Sequence, residues 1–86
     1  MKEGVFLMEI TVYTNEACIF CISQINWLKK NNIKYVIKSI SEENNFKEFQ
    51  EYNAQGTPLT VIKDGSEVKT VLGLNTFKLK RILGIK

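Results

Sequence analysis

The feature that most constrains the fold is a strand–helix–strand pattern near the start of the chain. Residues 9–14 (EITVYT) and 34–40 (KYVIKSI) are rich in β-branched and aromatic side chains, which favour strands. Between them, residues 18–31 show helical spacing. The buried face of this predicted helix is expected to carry Cys18, Cys21, Ile22, Ile25 and Leu28. Because two strands joined through a helix lie parallel with a right-handed crossover, the sequence predicts a sheet whose first two strands are parallel.

The segment after the second strand predicts a short helix followed by a hairpin. Ser41 followed by two glutamates is typical of a helix start, and Phe46 and Phe49 are expected to face inward from this helix. The Asp64-Gly65 pair favours a tight turn, because both residue types tolerate positive φ. The strands on either side of this turn are therefore predicted to be antiparallel.

A final helix completes the predicted order of elements. Asn75 or Thr76 can cap it, and its inner face is expected to carry Leu79, Ile82 and Leu83. The predicted order is βαβαββα, which gives an α/β fold with a four-stranded mixed sheet and helices on both faces.

Length and charge favour one small domain without a strongly basic surface. The chain has 86 residues and a net charge of +3. Residues 1–7 are expected to form an N-terminal extension and residues 8–86 the domain. The basic segment 78–86 is interpreted as the solvated face of the last helix, so no nucleic-acid partner is expected. Because the sequence shows neither a membrane-length apolar run nor a secretion signal, we expect a cytoplasmic monomer without membrane contact.

The two cysteines are the strongest chemical signal. Cys18 and Cys21 are the only cysteines, and they fall at the first turn of the first predicted helix. The unpaired N–H groups and positive dipole end of a helix start favour thiolate, which is the nucleophilic form of cysteine. Cys21, one turn deeper on the same face, is within disulfide reach. The spacing predicts that Cys18 attacks a target disulfide and that Cys21 resolves the mixed disulfide.

Four other interpretations of the cysteine pair stay open. They are a zinc site, a structural disulfide, two inert core cysteines and a cluster shared between two subunits. A zinc site usually has four ligands, whereas this chain has two cysteines and no histidine. A disulfide across so short a loop constrains the unfolded chain little. The redox interpretation is favoured, because Cys-x-x-Cys beside a strand–helix–strand unit is typical of a redox motif.

Three motifs in order resemble those of glutaredoxins in the thioredoxin superfamily. They are YTNEACIFC around the cysteines, the Thr57-Pro58 pair before the third strand, and Gly73 after the fourth. The resemblance covers nearly all of residues 8–84. It implies a thioredoxin-like fold, a cis peptide bond before Pro58, and reduction of protein or glutathione mixed disulfides through the dithiol.

The resemblance also implies a groove around the cysteines. Its implied binding residues are Asn15, Phe20, Gln55, Thr57, Pro58, Gly73, Leu74 and Asn75. Phe20 and the Thr57-Pro58 pair are expected to shape the substrate groove, and residues 73–75 its second wall, largely through backbone groups. Where many glutaredoxins have a lysine, this chain has Asn15, and it has Ile19 where they have proline.

The implied partners are disulfide-containing proteins, with glutathione as co-substrate and no tightly bound cofactor or metal. An alternative is a glutaredoxin-like redoxin that takes electrons from thioredoxin reductase and donates them to ribonucleotide reductase. A third possibility is a non-catalytic binding module that uses the same groove. Phe20 and Trp27 would then form a contact patch, although Trp27 is expected to pack against the terminal helix.

Overall fold

Seven elements follow one another along residues 8–85, the part of the chain that a computed structural model describes. They are β1 (Met8–Thr14), α1 (Ile19–Lys30), β2 (Val36–Ser39), α2 (Glu43–Gln50), β3 (Leu59–Asp64), β4 (Glu67–Leu72) and α3 (Thr76–Leu83). The predicted order is confirmed. The extension predicted for residues 1–7 lies outside the described residues. None of the helices described is long and apolar enough to cross a membrane.

The four strands form one mixed sheet in the order β2-β1-β3-β4. Strand β1 pairs parallel with β2, and β3 pairs antiparallel with both β1 and β4. In this register Leu59 at the start of β3 pairs with Tyr13 near the end of β1 and with Leu72 at the end of β4. The loops that follow β1 and β4 therefore meet the segment that precedes β3 at one end of the sheet.

Helices α1 and α3 cover one face of the sheet. Strand side chains on this face (Ile10, Ile62 and Val71) form a buried cluster with Leu79 of α3. Trp27 of α1 packs against this cluster, as expected from its predicted position against the terminal helix. Because α1 and α3 share a face and follow strands that point the same way, their N-termini lie at the same end of the sheet.

Helix α2 covers the opposite face. A second buried cluster contains Phe49 of α2 together with Tyr13, Leu59 and Val61 from the strands. The tilted rings of Tyr13 and Phe49 have centroids 5.9 Å apart, a geometry that aromatic pairs prefer. The predicted mixed sheet with helices on both faces is thus confirmed.

The buried stripe of α1 differs from the predicted one. The buried residues are Cys21, Gln24 and Leu28, whereas Ile22 is 60% exposed and Ile25 is half-buried. The expectation that Ile22 faces inward was wrong, because positions 21, 24 and 28 already share one helical face and Ile22 is turned about 100° from Cys21. A glutamine therefore lies in the core, on a helical face where the apolar pattern predicted isoleucines.

The start of α2 also differs from its prediction. The helix begins at Glu43, and the Ser41 hydroxyl lies 2.7 Å from that of Ser39 instead of capping the helix. Phe49 is buried as predicted, but the ring of Phe46 is exposed and stacks on that of Phe49. An eight-residue helix lying on one sheet face has room to bury only one of these two rings.

A polar cluster ties α2 to the sheet. Glu48 Oε1 accepts hydrogen bonds from the Tyr13 hydroxyl at 3.0 Å and from Lys38 Nζ at 2.8 Å. The hydrogen bonds from Lys38 and Tyr13 lower the pKa of the Glu48 carboxyl. Burial, reinforced by the hydrogen bond to Glu48, raises the pKa of the Tyr13 phenol. The hydrogen bonds from Tyr13 and Lys38 therefore stabilise the ionised carboxylate of Glu48.

This cluster makes stability depend on pH in the acid range. Because the pKa of Glu48 lies below its ordinary value of 4.5, its contribution is fully present above about pH 4.5. That contribution is lost as the pH falls through the lower pKa of the folded state. We expect Glu48→Gln to lose less stability than wild type on acidification from neutral pH, measured as the free energy of unfolding by urea. The control is Glu43→Gln, on the exposed side of the same helix. The prediction is contradicted if the free energy of unfolding falls equally with pH in Glu48→Gln and in wild type.

Candidate redox site

The cysteine pair lies at the N-terminus of α1 as a disulfide. Cys18 is the N-cap residue of the helix, and Cys21 lies one turn inside it, with 5.2 Å between their Cα atoms. Cys21 is only 2% exposed, whereas Cys18 is half-buried. Cys18 therefore presents the accessible sulfur, and Cys21 presents the sheltered one.

Two donors face the sulfur of Cys18. The backbone N–H of Cys21 donates to Cys18 Sγ at 3.2 Å, and the Thr57 hydroxyl donates to it at 3.6 Å. Both groups stabilise negative charge on sulfur, as does the positive end of the α1 dipole. After reduction, these contacts favour Cys18 over Cys21 as the thiolate.

The loop between β1 and α1 sets the position of Cys18. In this loop, Asn15 Oδ1 accepts a hydrogen bond from the backbone N–H of the next residue, Glu16, at 2.8 Å. Ala17 then adopts φ of 61°, in the left-handed region that residues with a Cβ seldom occupy. This backbone turn lets Cys18 cap the helix immediately after a three-residue loop.

The segment before β3 lies beside the disulfide. The Thr57–Pro58 peptide bond is cis, as the resemblance implied, and Pro58 is fully buried. The Pro58 carbonyl accepts a hydrogen bond from the Gly73 N–H at 2.8 Å. Gly73 has φ of 77°, a conformation that glycine adopts without steric cost. The turn after β4 is thereby fixed against the segment that carries Thr57.

Asn75 caps α3, as one of the two predicted candidates. Its Oδ1 accepts a hydrogen bond from the backbone N–H of Lys78 at 3.0 Å. The capping bond uses the amide oxygen, so any ligand carboxylate would meet the amide NH₂ group instead. Leu74 beside it is exposed. Both residues lie on the turn after Gly73, where the resemblance placed the second wall.

The structure brings some predicted site residues into contact and leaves others apart. Thr57 contacts Cys18, and Pro58 contacts Gly73 through the backbone. Phe20, in the first turn of α1, is 62% exposed. Asn15 and Gln55 are also exposed, and neither forms a hydrogen bond with either cysteine. The binding roles of these residues stay predictions.

Two sets of residues near the site were not predicted from the sequence. The first is apolar and exposed: Ile19, Ile22 and Phe77, at the N-terminal ends of α1 and α3. The second is polar and fully buried: Gln24 of α1 donates from Nε2 to Thr60 Oγ1 of β3. Helical spacing from Cys21 is the signal that could have marked Gln24 as a residue of the inner face.

The described part of the chain contains no cluster of side chains that would support the zinc interpretation. Within residues 8–85, no group of three or more histidine, cysteine, aspartate or glutamate side chains is arranged to hold a metal ion. The expectation of a site without metal stays a prediction.

Known structures resemble this chain more clearly than known sequences do. No protein-family model and no curated protein sequence matches it. A mutant form of the thioredoxin-like protein BC3987 is 27% identical, with a TM-score of 0.76, over 87% of this chain and 99% of that one. Glutaredoxin 1 from Francisella tularensis is 22% identical, with a TM-score of 0.63, over 90% of this chain and 98% of its own. The glutaredoxin-like NrdH-redoxin from Escherichia coli is 16% identical, with a TM-score of 0.64, over 86% and 93%.

The fold and the cysteine pair together define a thioredoxin-like protein with a Cys-x-x-Cys site. The matches to a glutaredoxin and to a redoxin, both below 25% identity, show a shared fold. The Cys18–Cys21 pair at a helix start of this fold supports thiol–disulfide oxidoreductase chemistry in general.

The contact between Thr57 and Cys18 gives a direct test of how the site favours thiolate. We expect Thr57→Val, in a Cys21→Ser background, to slow alkylation of Cys18 about threefold to tenfold at neutral pH, because a donor to the charged sulfur is lost. The matched control is Thr70→Val, an exposed threonine on β4, which should leave the rate unchanged. Equal rates for Thr57→Val and its parent would show that this hydroxyl does not stabilise the thiolate.

Proposed function

We propose that the protein is a glutaredoxin-like thiol–disulfide oxidoreductase that reduces protein or glutathione mixed disulfides. The observation that carries this proposal is the unequal pair of sulfurs at the N-terminus of α1. Cys18 is accessible and faces two hydrogen-bond donors, while Cys21 is buried one turn below it. Such an arrangement separates an attacking sulfur from a resolving one.

The first step is attack of the Cys18 thiolate on a target disulfide. A bond forms between Cys18 Sγ and one target sulfur, and the target's S–S bond breaks. The other target sulfur leaves as a thiolate and takes a proton from solvent. The Cys21 N–H and the Thr57 hydroxyl stabilise the charge on Cys18 before attack.

The second step is attack of Cys21 on Cys18 within the mixed disulfide. Cys21 loses its proton, bonds to Cys18 Sγ and expels the second target sulfur, which leaves as a thiol after protonation. The 5.2 Å separation of the two Cα atoms lies in the usual range for a disulfide, so this closure needs no backbone rearrangement. The target gains two electrons, and the protein is left as the Cys18–Cys21 disulfide.

Glutathione is the first candidate for the electron donor. Two molecules of it would restore the dithiol and leave as glutathione disulfide. We propose that the backbone of Thr57, which precedes a buried proline without an N–H, pairs with an extended peptide in strand fashion. The N-termini of α1 and α3 lie at this end of the sheet and attract carboxylates. Asn15, Gln55 and the amide NH₂ of Asn75 are the side chains proposed to contact the ligand.

A redoxin fed by thioredoxin reductase is the second candidate. It is favoured by the exposed apolar side chains around the disulfide, which suit a protein surface better than a charged tripeptide. These are Ile19, Phe20, Leu74 and Phe77. The likeness to an NrdH-redoxin points the same way. In this version the acceptor is ribonucleotide reductase, and the dithiol steps at Cys18 and Cys21 are unchanged.

Several expectations from the sequence belong to this proposal without a structural test. They are a monomeric state, a cytoplasmic location, the lack of a nucleic-acid partner and the lack of a tightly bound cofactor. A non-catalytic binding module using the same groove is the competing class of function.

Cysteine variants separate an oxidoreductase from a binding module. We expect Cys18→Ser to reduce dithiol turnover to the uncatalysed rate, because the attacking sulfur is lost. We expect Cys21→Ser to form a stable mixed disulfide with a small thiol, detected as the added mass on the intact protein. If Cys18→Ser keeps its turnover, the mechanism is wrong; if both variants bind partners as wild type does and wild type shows no turnover, the binding module is favoured.

The electron donor is tested with two coupled assays on the same protein. Both follow NADPH oxidation with a small mixed-disulfide substrate, one through glutathione and glutathione reductase, the other through thioredoxin reductase. Because the dithiol is common to both routes, Cys18→Ser serves as the blank in each. Turnover with glutathione that falls in Asn75→Ala supports the first candidate, and turnover only with thioredoxin reductase supports the second. Both candidates would be contradicted if neither assay shows turnover although dithiothreitol reduces the Cys18–Cys21 disulfide of the same protein.

A further inference from the structure

A buried amide lies one helical turn after the sheltered cysteine. Gln24 is 0% exposed and follows Cys21 by three residues, on the same buried stripe of α1. Its Nε2 donates to the hydroxyl of Thr60, which is also fully buried. Its Oε1 has no hydrogen-bond partner among residues 8–85. A buried acceptor without a donor destabilises the state in which it occurs.

The direction of side chains on a helix points this amide toward Cys21. Residues three apart on a helix are neighbours, with Cβ atoms about 5–6 Å apart. Long helical side chains also lie back over the preceding turn, which here is the turn that contains Cys21. Both side chains are enclosed between α1 and the sheet. Helix geometry therefore puts the Gln24 amide within reach of the Cys21 sulfur.

The oxidation state of Cys21 decides whether a donor is present there. In the disulfide, Cys21 Sγ carries no hydrogen and cannot donate. On reduction it gains an S–H group, the only polar hydrogen that this chemistry adds to the buried side of the pair. An acceptor without a donor in the oxidised protein would then gain one.

We propose that Gln24 is a positioning residue whose Oε1 accepts a hydrogen bond from the reduced Cys21 thiol. This inference rests on the proposed oxidoreductase function. With Nε2 donating to the Thr60 hydroxyl, Oε1 is the end of the amide that is left without a partner. Because Thr60 lies two residues after Pro58, the same contact ties the cysteine-bearing helix to the strand that follows the groove.

The proposed contact biases the redox equilibrium toward the dithiol. A dithiol reductant gives two electrons to the Cys18–Cys21 disulfide and becomes a disulfide itself. Cys18 is left as a thiolate whose proton goes to solvent, and Cys21 keeps a proton on Sγ. Because the bond to Gln24 exists only in this product, it stabilises the reduced protein. It also favours the neutral form of Cys21, so that Cys18 alone carries the charge.

The test is the redox equilibrium of Gln24→Met, which keeps side-chain length and removes the amide. We expect the ratio of dithiol to disulfide, in equilibrium with dithiothreitol, to fall about threefold to tenfold, where tenfold corresponds to about 30 mV for two electrons. In a Cys18→Ser background, thiolate absorbance of Cys21 should develop at lower pH in Gln24→Met than in its parent. A role for Gln24 in packing alone would move neither quantity.

Controls keep this test decisive. Ser23→Ala, an exposed change in the same turn, should leave the equilibrium unchanged. If Gln24→Met does not fold, Gln24→Leu replaces it. The infrared S–H band of reduced Cys18→Ser protein needs no change at Gln24 and should lie at the lower frequency of a hydrogen-bonded thiol. An unchanged equilibrium, a shift toward the dithiol, or an S–H band at the frequency of a free thiol would overturn the proposal.

The outcome can be separated from failure of the proposed function. Equilibration with dithiothreitol measures the cysteine couple without any protein target or physiological donor. If the cysteine pair is oxidised and reduced reversibly but Gln24→Met leaves the dithiol-to-disulfide ratio unchanged, only the role of Gln24 is overturned. A disulfide that dithiothreitol cannot cycle, or a wild-type protein that cycles without turnover, counts against the oxidoreductase itself.

Discussion

The antiparallel pairing of β3 with both of its neighbours is the constraint on which the site depends. Because β3 begins where β1 and β4 end, three loops that are far apart in sequence meet at one end of the sheet. Its first four residues, 59–62, are all buried, so each face of the sheet packs against it. The hydrogen bond between Gly73 and Pro58 then joins two of the three loops, and the Thr57 hydroxyl reaches Cys18 on the third. Without this strand the cysteines would cap a helix with nothing beside them.

Local sequence was enough to predict most of the fold. The strand–helix–strand unit, the hairpin, β4 and the Asn75 cap each depend on neighbouring residues, and the structure confirms them. The hairpin turn itself lies one residue later than predicted, at Gly65 and Ser66, because Asp64 still pairs with Glu67. The errors arose where distant residues decide the outcome. Gln24 is buried because Thr60, 36 residues away, gives its amide a partner, and no periodicity in α1 reveals that partner. The inner face of α1 is therefore set by positions 21, 24 and 28, which leaves Ile22 outside it.

The candidate site also has a part that local sequence predicts and a part that it does not. The position of both cysteines at a helix start followed from spacing, because a helix after a strand exposes its first turn. The side chains expected to hold a ligand were harder to assign, since folding already uses part of their chemistry. Asn15 accepts from the N–H of Glu16, and Asn75 caps α3, each through its amide oxygen. A sequence shows that such a residue is present, but not which of its two polar atoms is already bound.

The capping role of Cys18 links the helix to its redox state. The sulfur that exchanges electrons also accepts the N–H of Cys21, as a serine or aspartate does at other helix starts. A charged sulfur is a stronger acceptor than a neutral disulfide sulfur, so the first turn of α1 is held more firmly in the reduced protein. The backbone amide of Cys21 should therefore exchange its hydrogen more slowly in the reduced protein, so its exchange rate reports the oxidation state without any substrate or dye.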